Sequence, residues 1–129
     1  MATTAGSLTL TKLEDGHMTV TGERTTTVGA RVIDATLDAE YRWDEASVTI
    51  VKSTRTRTAG ELTATLVVTD LHWLRSDSRP ESGSIAWTNR GGVTRTITFS
   101  RDDAGDIQVM VEDPKGKKSF AGGEFAAVR

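Results

Sequence analysis

Ile33-Asp34-Ala35-Thr36-Leu37-Asp38-Ala39-Glu40-Tyr41-Arg42-Trp43 alternates apolar and polar residues without a miss. Successive side chains on a strand point to opposite faces. Ile33, Ala35, Leu37, Ala39, Tyr41 and Trp43 therefore form a core face, and Asp34, Thr36, Asp38, Glu40 and Arg42 a wet one. A helix would scatter those carboxylates into the core. The spacing predicts one long β-strand over Arg31–Trp43, with Ile33, Leu37 and Tyr41 buried and Asp34, Asp38 and Glu40 solvated.

The flanking sequence repeats this pattern in shorter pieces. Ser7–Leu13 alternates with Leu8 and Leu10 on one face, and Asp15-Gly16 can supply the positive φ of a tight hairpin. A strand starting at Met18 carries Met18 and Val20 inward and reaches Gly22. Glu23–Thr27 is polar, and Gly29 marks a bulge or corner. Val48–Thr58 starts with Val48 and Ile50 on one face and ends as the polar run Ser53–Thr58, expected to project past the core or lie at an edge. In Leu62–Trp73, Leu62, Ala64, Leu66 and Val68 share one face while Val67 and Leu71 share the other. Arg75–Gly83 is the longest loop. Ser84–Asn89, Val93–Ser100, Ile107–Asp113 and Lys118–Val128 complete the strands, separated by turns rich in Gly, Asn, Asp and Pro.

Eight or nine strands joined mostly by short turns predict a single all-β domain over residues 1–129, built as an antiparallel meander. Strands this long curl until the sheet closes or folds onto itself. An up-and-down barrel is the first expectation and a two-sheet β-sandwich the alternative. Twenty-one threonines, β-branched and suited to a wet sheet face, agree with this.

Composition narrows the function classes. Cysteine is absent, which removes disulfides, thiolate metal sites and cysteine nucleophiles. Sixteen basic residues against 18 acidic ones give a formal charge of −2, so no global field draws the chain to nucleic acid or an anionic membrane. No apolar run has the roughly 18 to 20 residues of a membrane-spanning helix, and Met1–Ser7 lacks the basic and apolar regions of a signal peptide. If the natural protein is exported, its signal was removed before Met1.

No catalytic constellation stands out. His17 falls in an expected turn and reads as solvated. His72, two residues from Asp70, would share a strand face with it. Two histidines without a His-x-His pair are too few for a metal site, so no metal or cofactor is expected. Asp34, Asp38 and Glu40 have carboxylates at strand spacing, which glycosidic chemistry could use but a solvated face also explains. Two other groups suit binding. If Tyr41, Trp43, Trp73 and Trp87 gather at one mouth of a barrel, they make an apolar wall for a small ligand. Arg55, Arg57, Arg90 and Arg95, set among threonines, suit a patch for carboxylates, phosphates or a second subunit.

Pro80-Glu81-Ser82-Gly83-Ser84-Ile85, followed by Thr94-Arg95-Thr96-Ile97-Thr98-Phe99, resembles Thr-rich β domains of exported bacterial proteins and lipoproteins. The likeness covers some twenty residues and lacks the cysteines such proteins often carry. It implies an extracytoplasmic location and no particular chemistry. The expected function is surface presentation by a non-catalytic domain, through self-assembly into a homo-oligomer or binding of a protein partner. The alternative is a carrier of a small apolar ligand; catalysis by carboxylates or His72 comes third.

Overall fold

The computed structural model describes residues 2–121, with side chains to residue 116. Nine strands follow one another: β1 (Ala2–Glu14), β2 (His17–Val28), β3 (Arg31–Trp43), β4 (Ser47–Ala59), β5 (Leu62–Leu74), β6 (Ser82–Thr88), β7 (Thr94–Arg101), β8 (Ile107–Asp113) and β9 (Gly116–Ala121). Each pairs antiparallel with its sequence neighbours, giving one sheet in the order β1 to β9. The alternating stretch is β3, with the boundaries its sequence predicts. The expected strand Lys118–Val128 coincides with β9 as far as Ala121, and the rest of it lies outside the described residues.

Turn chemistry explains the meander. Gly29-Ala30 and Gly60-Glu61 are two-residue connections, each with its glycine at positive φ, 61° and 64°. A glycine at the first central position matches the twist of a hairpin. Gly29 is therefore a turn and not a bulge in a strand, and β2 continues through the polar Glu23–Thr27.

The sheet is open among the described residues. No ladder joins β1 to β9, so the barrel expectation holds for the up-and-down strand order and not for a closed ring, and no second sheet makes a sandwich. Unequal lengths give the physical reason. Twelve or thirteen residues in β1 to β5 extend about 41 to 44 Å, whereas six to eight in β6 to β9 extend about 20 to 27 Å. Closure needs strands that match in length and stagger.

Two aligned irregularities decide which side chains face inward. The β3–β4 register shifts between Glu40 and Tyr41, so that Tyr41 opposes Ile50 while Glu40 opposes Lys52. The β5–β6 register shifts between Thr69 and His72, with Asp70 at φ 46°. Because β4 and β5 remain in step with each other, both strands change face together. Leu71 thus joins Val68 on the inner face, contrary to the plain alternation that set it beside Val67. The core is Val68, Leu71, Phe99 and Val109, with Ile50, Trp73, Ile85 and Ile97 packed against it. It lies at the end of the sheet where the short strands are.

Beyond that core the inner face is only partly covered. Ala39 is fully buried, yet Ile33, Leu37 and Tyr41 are half-buried and not core residues as alternation suggested. Alternation assigns the face correctly; an open sheet leaves that face without a lid. Asp34 and Asp38 are exposed on the outer face, whereas Glu40 is half-buried.

Candidate binding cup and polar network

Three cross-strand rows build the uncovered inner face. The deepest joins Leu10, Val20, Ala39, Ser53, Val68 and Ile85; Val20, Ala39, Ser53 and Val68 of this row are buried. Next comes Leu8, Gly22, Leu37, Arg55, Leu66 and Trp87. The outermost is Gly6, Arg24, Ala35, Arg57 and Ala64. The sheet curls enough that Leu8 of β1 and Trp87 of β6 line one cup of about 810 Å³. Leu8 leans over Gly22, where a Cβ would come within 2.9 Å of the Leu8 Cδ1. Apolar side chains thus form the floor, and arginines stand toward the mouth.

The predicted arginine group divides. Arg55 and Arg57 line the cup, and Arg95 lies over the Trp87 ring at 5.9 Å from its centroid. Arg90 sits apart, exposed in the turn after β6. The expectation that Ser53–Thr58 offers an edge is corrected: β4 is paired on both sides, and the run projects past the core inside the sheet. Nor do Arg55 and Arg57 share a face with Asp34 and Asp38, because they oppose Leu37 and Ala35. Arg24 completes the group. Plain alternation along β2, which places Arg24 with Val20 and Gly22, could have found it.

The aromatic group divides as well. Tyr41, Trp43 and Trp73 lie at the core end, where Trp43 and Trp73 flank Val48. Trp87 opposes Leu66, seven residues along β5 from Trp73, about 23 Å at strand rise. One barrel mouth ringed by all four is therefore corrected to a single aromatic, Trp87, in the cup.

His72 belongs to a different constellation from the one its sequence neighbours suggest. The β5 irregularity turns Asp70 away from the strand alternation, and the carboxylate facing His72 is Glu81, with Oε1 3.9 Å from Nε2. Thr49 Oγ1 lies 2.6 Å from His72 Nδ1. Arg101 Nη2 donates to Glu81 Oε2 at 2.9 Å and to Asp77 Oδ2 at 2.7 Å. Hydrogen bonding to Glu81 holds the Arg101 guanidinium above its ordinary pKa, with Asp77 adding to it. A hydroxyl, an imidazole and a carboxylate in sequence are the groups of nucleophilic catalysis. Here the imidazole–carboxylate gap exceeds hydrogen-bond reach and Glu81 is engaged by Arg101. The network fastens the 75–81 loop to β5 and β7.

His17 also departs from expectation. It opens β2, is buried, and donates from Nε2 to Glu40 Oε2 at 2.7 Å, which removes it from the solvated class. Among the described residues no group of three or more His, Asp or Glu side chains converges as a metal site. Among the described residues no helix is long and apolar enough to cross a membrane. No protein-family model, curated protein or solved structure matches the chain.

Proposed function

We propose that this protein is a non-catalytic binding domain whose half-closed sheet holds a small apolar ligand in the cup between β1 and β6. The observation that carries the reading is the cup itself. Its volume of about 810 Å³ falls within the ~300–1,000 Å³ of small-molecule sites. Leu8, Leu37, Leu66 and Trp87 give it an apolar lining. Leaving Leu8 at 60% and Trp87 at 49% exposure is costly for an apolar side chain unless something covers it.

A neutral solvatochromic dye, Nile red, tests this. The reading requires saturable binding with a blue-shifted emission that Leu66→Arg abolishes. Emission that rises without saturation, or that Leu66→Arg leaves unchanged, refutes it.

A second reading, presentation of a surface to another copy or to a protein partner, draws on β1. All thirteen of its residues are exposed, and among the described residues no strand pairs with one side of its backbone, a ladder open to strand addition. In this reading the docking edge is β1, and light scattering over a wide concentration range tests it.

A further inference from the structure

We infer that the occupant of the cup is a single-chain amphiphile with an anionic head group, its chain on the Leu37–Leu66 floor and its head among Arg24, Arg55 and Arg57. This rests on the apolar-cup reading and adds the charge of the ligand.

Three observations converge on it. First, Arg24 and Arg57 oppose the same small residue, Ala35, from its two sides, and Arg55 lies two residues from Arg57 on the same face. Directly opposed residues stand about 5 Å apart, and i, i+2 residues on a strand about 7 Å, so three guanidinium groups crowd one patch. Second, none of the three has a carboxylate within salt-bridge distance among the described residues, while Arg42 and Arg101 both do. The neighbouring strand acids, Glu23, Asp34 and Asp38, alternate with these rows and face the other side of the sheet. Like charges grouped without counter-charge beside an apolar surface repel one another until an anion joins them. Third, polarity is graded across the two rows that line the cup: the inner one sets Leu8, Leu37, Leu66 and Trp87 around one arginine, and the outer one holds two arginines beside glycine and alanine. A bound molecule that matches this gradient has an apolar body and one charged end. Guanidinium groups bind carboxylate or phosphate oxygens bidentately. The cup's size suits one monomeric amphiphile rather than a bilayer surface.

Calorimetric titration of the full chain at pH 8, below micelle-forming concentrations, separates the charge from the cup. Dodecanoate and 1-dodecanol share a chain and differ in the head. Dodecanoate is expected to bind about tenfold tighter or more, as one charge-assisted bidentate contact allows. That margin should fall as salt rises. In Arg24→Gln/Arg55→Gln/Arg57→Gln dodecanoate should lose its margin and bind no tighter than dodecanol. Equal binding of both probes to the unmodified protein overturns the anionic head and leaves the apolar cup standing. Binding of neither overturns both. Sedimentation with phosphatidylglycerol vesicles, without uptake of dodecanoate, makes the occupant a membrane surface and overturns the proposal.

Discussion

Gly83 sits where β5 breaks register, and replacing it by alanine tests the local architecture directly. Its φ is 101°, and a Cβ there would lie 2.3 Å from the Asp70 carbonyl oxygen and 2.6 Å from both the Asp70 carbonyl carbon and Leu71 Cα. All three are backbone atoms, so no side chain can swing aside. Gly29 provides the matched control, with φ 61° and nothing within 4 Å. An L-residue at positive φ costs about 1–2 kcal/mol, and removing glycine from the unfolded chain returns about 0.4–1 kcal/mol. Gly29→Ala should therefore destabilise by at most about 1.5 kcal/mol. Gly83→Ala carries the same conformational cost and must also push the Asp70–Leu71 backbone outward. That disturbs the buried Leu71 and the pairing of Thr69 with Ser84, adding roughly 1–3 kcal/mol as overpacking does. Each kcal/mol moves the melting temperature of a chain this long by about 3–5 °C. Thermal melts followed by circular dichroism, with urea titrations followed by tryptophan fluorescence, should place Gly83→Ala at least about 3 °C below Gly29→Ala. Equal melting temperatures would mean that β6 does not approach β5 this closely, and the account of the irregularity would fall.

Val109→Ala removes two buried methyl groups, so urea unfolding should show a loss of about 1.5–3 kcal/mol, whereas Asp38→Ala on the outer face should change stability by under about 0.5 kcal/mol. Asp44 accepts hydrogen bonds from the backbone N–H groups of Ala46 and Ser47, and Asp102 from that of Asp106, which hold both carboxyls below the ordinary value of 3.8. A depressed folded-state pKa adds stability that is complete above the unfolded value and lost as pH falls through the folded one; Asp44→Asn/Asp102→Asn should therefore melt below wild type at pH 7, and the gap should close below about pH 4. EDTA should leave the melting temperature unchanged, and a drop of several degrees would bring His17, His72 and the carboxylates into play as metal ligands. If β1 is a docking edge, Leu10→Lys should shift the mass seen by light scattering toward the monomer, and an unchanged mass would remove the assembly reading.

Periodicity reveals a strand and its two faces, but not what lies over a face. The boundaries of β3 and β8 follow from alternation and turn residues alone, because both are local properties. Closure is not local. It depends on whether the first strand reaches the last, and no hairpin in this chain carries that information. Hence Leu37 and Tyr41 face inward as predicted and are still only half-buried. His17 shows a second limit: it follows an Asp-Gly turn, and only the β2–β3 register brings it against Glu40, 23 positions later.

The two irregularities that hid the cup from the sequence are also what build it. In plain alternation Ile50 and Arg55 fall on opposite faces of β4, which sends Arg55 and Arg57 out to solvent and turns Thr54, Thr56 and Thr58 inward with Ile50. The register shift between β3 and β4 puts Ile50, Ser53, Arg55 and Arg57 on one face. The matching shift at Asp70 turns β5 with it, so Leu66 and Val68 stay opposite Arg55 and Ser53 while Leu71 still reaches the core. Without the pair, β4 and β5 would turn Arg55 and Arg57 outward together with Leu66 and Val68, so the inner face would lose two of its three cationic groups and part of its apolar floor. Bulged strands are found where a side chain must be aimed against the local pattern, at sheet rims and beside functional sites. Here Asp70 tolerates its left-handed φ as an aspartate and Gly83 has no Cβ to obstruct it, so the fold accommodates the defect at residues well removed from the arginines it redirects.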